Sequence, residues 1–181
     1  MILTDREIKI ALEKGQITIN PLPDEATSYQ STAVDLTLSP IVRIFKEGVS
    51  GVHFDPGSED YDYKALIDMV TTREELTAPF TLIPQALLLA WTNETIEIPT
   101  NSRLAARVEG RSSLSRLGVG IHLTAPTIHA GFSGTIQLEV VNHGFAPVIL
   151  RPEMRICQLI FEMTFGTSAK GYSGQFLGQQ A

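Results

Sequence analysis

Short apolar runs, interrupted by Gly, Pro, Asn or Ser at intervals of about ten residues, fill most of the chain. Runs this short suit β-strands, whereas amphipathic helices need several turns of periodic sequence. Many short strands at this spacing are typical of a β-sandwich or a small β-barrel. The predicted strands are Ala33–Leu38, Ile41–Phe45, Phe80–Leu82, Ala86–Trp91, Leu104–Val108, Gly120–Leu123, Gly134–Val141, Val148–Leu150 and Arg155–Glu162. The sequence therefore predicts a mainly β fold.

The amino-terminal residues follow a different pattern. Thr4 and Glu7 have the spacing of a capping box, and apolar residues then recur on one helical face until Gly15. This pattern predicts a short helix over Asp5–Lys14.

Composition excludes several classes of protein. The single cysteine, Cys157, excludes an intramolecular disulfide framework and a zinc site built on a cysteine pair. The net charge of −6 disfavours a general nucleic-acid-binding surface. The longest apolar run, Ala86–Trp91, is too short to span a membrane, and the charged amino terminus is unlike a secretory signal. We expect a cytoplasmic protein of one domain, residues 1–181, with no nucleic-acid or membrane partner.

Charge is distributed unevenly along the chain. The stretch Asp55–Glu75 is acidic and is predicted to be an exposed loop. The stretch Asn101–Arg155 contains six arginines and no lysine, and guanidinium groups suit phosphates and carboxylates. A solvated strand face is the simpler interpretation of the second stretch.

The segment 109–125 contains a candidate anion site. Arg111, Ser112 and Ser113 follow a predicted strand and precede a possible helical turn at Leu114–Leu117. Backbone N–H groups, hydroxyls and a guanidinium would then meet at a helix amino terminus, with Arg116 on the same face as Ser112. The alternative is an ordinary serine cap with surface arginines.

The segment 131–144 alternates as a strand. Ile136, Leu138 and Val140 share one face, and Gln137 and Glu139 share the other. Glu139 is therefore either a candidate catalytic carboxylate or a solvent-exposed residue of an antiparallel strand.

Histidines suggest a third kind of site. His122, His129 and His143 flank Glu139 in the sequence, as ligands in a cupin-like barrel would. No His-x-His pair is present, so a metal–histidine site is the less favoured interpretation.

Several motifs occur together in a characteristic order. They are STAVDLTLS, LIPQALLLAWTNETIEIP, EGRSSLSRLG, GFSGTIQLEVVNHG and LRPEMRICQLIFE. In this order and spacing the chain resembles the dCTP deaminase branch of the dUTPase-like superfamily. The resemblance implies a distorted β-barrel that forms a homotrimer with sites at subunit interfaces. It also implies hydrolysis of dCTP to dUTP, with Mg²⁺ carried by the triphosphate, no catalytic metal and no zinc. Feedback inhibition by dTTP is left open.

The resemblance also implies roles for individual residues. Glu139 would be the general base that activates water for attack on C4 of cytosine. Ser112 and Arg116 would hold that water and stabilise the developing charge, and Arg111 and Ser113 would join them around the phosphates.

The nucleoside would be held by other residues. Backbone near Thr124 and Ala125 would read the base, and Gln137 would lie under the nucleoside. His129 stands where the family usually has an Asp that meets the sugar 3′-hydroxyl, so His129 could only replace it as a different hydrogen-bonding partner. Thr127 similarly replaces an Arg.

The carboxyl-terminal tail, residues 164–181, would close over the triphosphate through Tyr172 and Gln179. Gln175 stands where a tail Lys is usual.

Three functions remain open from the sequence. The favoured one is a dCTP deaminase. A dUTP diphosphatase, or a bifunctional dCTP deaminase and dUTP diphosphatase, is less favoured because that activity depends on an Asp near His129. A non-catalytic nucleotide-binding regulator is the third.

Overall fold

The chain begins with the predicted helix, α1 (Asp5–Glu13). In the structure, a computed structural model that describes residues 1–174 and 177–180, the Thr4 backbone N–H donates to the Glu7 carboxylate at 3.3 Å. This bond is part of the predicted capping box. Gly15, at φ +64°, turns the chain after the helix. The helix prediction is confirmed, with an end one residue earlier.

Strands form most of the remaining regular structure, which confirms the predicted mainly β fold. They are β1 (Thr18–Asn20), β2 (Tyr29–Gln30), β3 (Ala33–Phe45), β4 (Thr71–Glu75), β5 (Phe80–Leu82), β6 (Leu87–Glu97), β7 (Leu104–Gly110), β8 (Val119–Gly120), β9 (Thr127–Ile128), β10 (Ser133–Asn142), β11 (Val148–Leu150) and β12 (Arg155–Met163). Two further helices, α2 (Tyr63–Val70) and α3 (Ser112–Ser115), and a 3₁₀ turn at Val49–Gly51 lie between strands. None of the helices in the described part of the chain is long and apolar enough to cross a membrane.

The strands pair antiparallel in one large curled sheet of order β8-β10-β6-β3-β12-β7-β9. Strand β1 adds to β6, and β2 and β4 add to β3, while β5 and β11 form a separate pair. The sheet thus places β10 and β9 near opposite ends of its strand order.

Strand β10 separates the core from a polar surface. Ile136, Leu138 and Val140 are buried in the core, and Gln137 and Glu139 point to the other face. The predicted alternation is confirmed, and it directs two polar side chains away from the core.

Two strand predictions need correction. The separate strands Ala33–Leu38 and Ile41–Phe45 form one strand, β3, because the chain continues through an irregularity around Pro40 that shifts its register against β6. Only Gly120 of the predicted strand Gly120–Leu123 pairs with β10, together with Val119 before it, and the following residues form a loop.

The acidic stretch was predicted to be a loop, which is wrong for its second half. That half forms α2 and β4. Asp62 caps helix α2, because its carboxylate accepts a hydrogen bond from the Ala65 N–H at 3.0 Å. Strand β4 pairs with β3, so backbone hydrogen bonds fix β4 on the sheet.

Candidate active site

A cavity of about 510 Å³ opens beside the polar face of β10. Its walls come from β10, from β9 and the loop before it, from α2, and from the carboxyl-terminal tail. The polar and aromatic lining residues include Tyr63, His122, His129, Gln137, Glu139, Tyr172 and Gln179. Apolar walls with a few polar groups are typical of sites for small organic ligands.

Glu139 supplies the carboxylate of the cavity. It lies opposite Leu89 of β6, and its Oε2 accepts a hydrogen bond from the Leu123 backbone N–H at 3.3 Å. The side chain is half-buried. A carboxylate held in this way at a cavity surface can accept a proton from a bound water.

Gln137 lies two residues before Glu139 on the same face. The Tyr63 hydroxyl donates to Gln137 Oε1 at 3.3 Å, which joins α2 to β10 across the cavity wall. Burial raises the pKa of the Tyr63 phenol, and Glu139 adds to that rise, so the hydroxyl keeps its proton at neutral pH.

Aromatic rings form the side of the cavity next to the tail. The His129 and Tyr172 rings stack with centroids 6.1 Å apart, and Phe132 lies 6.0 Å from Tyr172 at a tilt of 55°. The Tyr172 N–H donates to the Ala130 carbonyl at 2.9 Å. His129 is therefore in contact with the tail.

Two glycines let the tail approach the sheet closely. A Cβ on Gly131 would lie 2.5 Å from the Tyr172 nitrogen, and one on Gly134 would lie 2.7 Å from the Gln179 oxygen. The Thr135 N–H donates to the Gln179 carbonyl at 3.1 Å, and Gln179 Nε2 donates to the Thr135 carbonyl at 2.8 Å. The tail position of Tyr172 and Gln179 thus depends on close backbone contacts. Gln175 lies outside the described residues.

The predicted helical turn at Leu114–Leu117 begins earlier than expected. Helix α3 is Ser112–Ser115, because the Arg111 backbone is extended and its carbonyl accepts from the N–H groups of Leu114 and Ser115. Ser112 and Ser113 are therefore the first residues of the helix rather than residues that precede it, and both are exposed.

The Arg111 side chain points to a buried carboxylate. Its Nη2 lies 3.2 Å from Asp35 Oδ2, and Arg155 Nη1 lies 3.7 Å from the same oxygen. Asp35 is fully buried. Burial raises the pKa of the Asp35 carboxyl, and the two guanidinium groups oppose that rise. The guanidinium of Arg111 is thus held against the interior of the chain.

The structure divides the predicted site residues into two groups. Those that line the cavity are Ala125, His129, Gln137, Glu139, Tyr172 and Gln179. Those outside its lining are Arg111, Ser112, Ser113, Arg116 and Thr124. The two groups lie apart within this single chain, and the expectation that sites lie at subunit interfaces stays a prediction. The physical reason is that Arg111 turns to Asp35, while Ser112, Ser113 and Arg116 are exposed to solvent.

Sequence reasoning missed the contribution of α2 and the partner of Arg111. The helix had a signal, since Asp62 is a suitable cap and apolar residues recur from Tyr63 to Val70. Asp35 had none, because an acidic residue inside a predicted strand does not indicate its partner.

Only two of the three histidines of the metal alternative line the cavity. His122 and His129 line the cavity, whereas His143 lies against Gly120. No group of three or more His, Cys, Asp or Glu residues that could hold a metal ion occurs within residues 1–174 and 177–180. The predicted metal alternative therefore lacks a donor set in this part of the chain.

The fold is a curled antiparallel sheet, and its polar strand places a carboxylate at a cavity. These features define the class: a β-protein with a candidate hydrolytic site for a small ligand. Comparison with known proteins gives the family. Residues 2–164 match the family model described as dCTP deaminase-like. The chain belongs to this family, which confirms the resemblance seen in the sequence motifs.

Individual relatives and one solved structure agree with this assignment. The chain is 37% identical to a Methanosphaera stadtmanae protein named dCTP deaminase, dUMP-forming. The alignment spans 183 positions and covers 98% of this chain and 89% of that one. It is 38% identical to a Marinomonas protein named dCTP deaminase, over 96% of this chain and 89% of that one. The crystal structure of 2′-deoxycytidine 5′-triphosphate deaminase from Agrobacterium tumefaciens superposes with a TM-score of 0.67 at 20% identity. That match covers 90% of this chain but 48% of the Agrobacterium chain, and it supports the fold alone.

Proposed function

We propose that the chain catalyses the hydrolytic deamination of dCTP to dUTP and ammonia. The observation that carries this proposal is the Glu139 carboxylate at the surface of the cavity. In this reaction a water oxygen attacks C4 of the cytosine ring while Glu139 accepts a proton from that water. Glu139 passes that proton to N3 of the ring, where it stays, and then transfers the remaining hydroxyl proton to the amino group. The C4–N bond breaks, C4=O forms, and ammonia leaves.

In this proposal the triphosphate group binds to the predicted site residues that lie outside the cavity lining. Arg111, Ser112, Ser113 and Arg116 offer guanidinium and hydroxyl donors of the kind that bind phosphate. Because they lie outside the cavity of their own chain, we propose that the cavity of one chain is completed by α3 of another in a homotrimer. The exposure of both serines and of Arg116 supports this arrangement.

Mixed assemblies test whether sites are shared between chains. A Glu139→Gln chain and a Ser112→Ala chain, each inactive alone, are unfolded together and refolded as a mixture. Shared sites predict recovered activity, because some sites in mixed trimers then contain neither substitution. A mixture that stays as inactive as its components contradicts the proposal.

The remaining predicted contacts concern the nucleoside and the ion. In this proposal backbone near Thr124 and Ala125 reads the base, Gln137 lies beneath the nucleoside, and His129 meets the sugar. Mg²⁺ is bound by oxygen atoms of the triphosphate and enters with the substrate. A pyrimidine triphosphate such as dTTP would compete for the same cavity, which makes feedback inhibition part of the proposal.

A bifunctional enzyme is the second candidate, and the name of the Methanosphaera relative, which specifies dUMP as product, favours it. Such an enzyme would also hydrolyse the triphosphate to dUMP and diphosphate. His129, at the position where that activity uses an Asp, argues against it. Incubation with dCTP or dUTP and Mg²⁺, followed by chromatography, separates the candidates by their products. Saturable binding without any product would identify a non-catalytic regulator.

Glu139→Gln tests the catalytic assignment directly. The amide keeps the shape of the side chain but cannot accept the proton, so we expect kcat on dCTP to fall by about 10²–10⁴ with nucleotide affinity retained. Glu75→Gln, an exposed change on β4, is the matched control and should keep full activity. Unchanged turnover in Glu139→Gln would show that Glu139 is not the base.

A further inference from the structure

Helix α2 forms one wall of the cavity, yet the proposed reaction assigns it no role. The helix is held at both ends. Asp62 caps its first turn, and Lys46 Nζ donates to the carbonyl groups of Met69 at 2.7 Å and Asp68 at 3.3 Å in its last turn. These contacts fix the helix as a rigid part of the wall.

A second set of contacts holds α2 against the sheet. Arg43 of β3 places Nη2 2.6 Å from Asp68 Oδ1 and donates from Nη1 to Thr71 Oγ1 at 3.1 Å. The Arg43 side chain is largely buried, so this ion pair is less screened by solvent than a surface pair. The position of α2 relative to the cavity is therefore set by the sheet itself.

Tyr63 and Ile67, one helical turn apart, are the residues of α2 that line the cavity. Ile67 supplies apolar surface, whereas the Tyr63 hydroxyl donates to Gln137 Oε1 at 3.3 Å. Since the Tyr63 hydroxyl engages the carbonyl end of the Gln137 amide, the Nε2 end is the one that would donate to a ligand. The polar face of β10 then presents a donor at Gln137 beside the acceptor at Glu139.

We propose that Tyr63 is a positioning residue that sets the orientation of the Gln137 amide for a pyrimidine nucleotide. The inference rests on the proposed function, because it identifies the ligand of the cavity as a nucleotide whose ring or sugar oxygen accepts from Gln137 Nε2. Tyr63 acts through Gln137 and takes no part in proton transfer.

Tyr63→Phe removes the hydroxyl and keeps the ring. We expect KM for dCTP to rise about 3- to 10-fold, the effect of one hydrogen bond, with kcat changed by less than about twofold. Tyr61→Phe is the matched control, because Tyr61 lies just before the helix and does not line this cavity. Its KM should equal that of the unmodified protein. A fall in kcat with unchanged KM would overturn the inference.

A double-mutant cycle tests whether Tyr63 acts through Gln137. Gln137→Met keeps the length of the side chain and removes the amide, so it should raise KM by itself. In that background Tyr63→Phe should have no further effect, because the group that it positions is gone. If the two effects on KM multiply, Tyr63 acts independently of Gln137 and the inference is wrong.

Calorimetric titration with dCTP separates failure of this inference from failure of the proposed function. If the unmodified protein binds dCTP without releasing ammonia, the deaminase proposal fails. The double-mutant cycle of Tyr63 and Gln137 is then measured from dissociation constants in place of KM. Equal dissociation constants for the unmodified protein and Tyr63→Phe would refute the positioning role whatever the activity. Absence of dCTP binding by the unmodified protein would overturn both.

Discussion

The close approach of the tail at Gly131 gives a prediction with a matched internal control. Gly131 and Gly166 both have φ +92°, but a Cβ on Gly166 would meet nothing within 4 Å. Substitution by alanine costs about 1–2 kcal/mol of backbone strain at either position. Any difference between the two variants in the free energy of tail opening therefore measures the contact of Gly131 with Tyr172.

The size of that difference follows from the contact distances. The Gly131→Ala Cβ would lie 2.5 Å from the Tyr172 nitrogen, whereas ordinary contacts begin at 3.4 Å, so the tail must move by about 1 Å. That shift breaks the 2.9 Å bond from the Tyr172 N–H to Ala130 and disturbs the ring contacts with His129 and Phe132. One hydrogen bond and one or two ring contacts amount to about 1–3 kcal/mol, or roughly 5- to 150-fold in the equilibrium for tail opening.

Amide hydrogen exchange followed by NMR measures this equilibrium at the Tyr172 N–H. We expect exchange at Tyr172 to accelerate by that factor in Gly131→Ala and to stay unchanged in Gly166→Ala. Core amides such as that of Leu138 report whether the fold is intact in each variant. Equal Tyr172 exchange rates in the two variants would refute the claim that Gly131 is needed for tail docking.

Three further predictions concern pH, assembly and metal content. Burial raises the pKa of the Glu94 carboxyl above its usual 4.5, so its contribution to stability is complete below pH 4.5 and is lost as the pH rises through the folded-state pKa. Glu94→Gln should therefore gain stability relative to the unmodified protein in urea unfolding as the pH rises above 4.5, and a pH-independent difference would contradict this. Light scattering should give three times the 19.8-kDa chain mass, and a stable monomer at micromolar concentration would contradict the trimer. A chelator should weaken dCTP binding, while one zinc per chain with activity that follows zinc content would restore the histidine-site alternative.

Local periodicity was sufficient to predict the elements nearest the site. Alternation along β10 placed Glu139 and Gln137 on the face opposite Leu138, and the structure confirms it. Side-chain direction in a strand depends only on the two-residue repeat, which the sequence contains. The amino-terminal helix was predictable for a similar reason, because the Thr4–Glu7 spacing is a local signal.

Contacts between distant segments were not predictable in the same way. The pairing of Arg111 with Asp35 depends on β12 lying between β3 and β7, which no local pattern specifies. The acidic composition of 55–75 suggested a solvated loop, but Asp68 is neutralised by Arg43 and the helix packs on the sheet. Composition describes the average environment of a segment, whereas the position of α2 depends on one ion pair and two caps.

Curling of the sheet decides the environment of Glu139, which the sequence left open. In the strand order β10 and β9 are separated by β6, β3, β12 and β7, yet residues of both line one cavity. Right-handed twist accumulates across the strands, so the sheet curls and its distant strands approach each other. This approach puts Ile128 of β9 in the wall of the cavity that holds Glu139. The Leu123 N–H that donates to the Glu139 carboxylate comes instead from the loop after β8, the direct neighbour of β10. On a flat sheet Glu139 would lack the wall that β9 forms. The closure of the sheet therefore turns an ordinary strand glutamate into a candidate catalytic base.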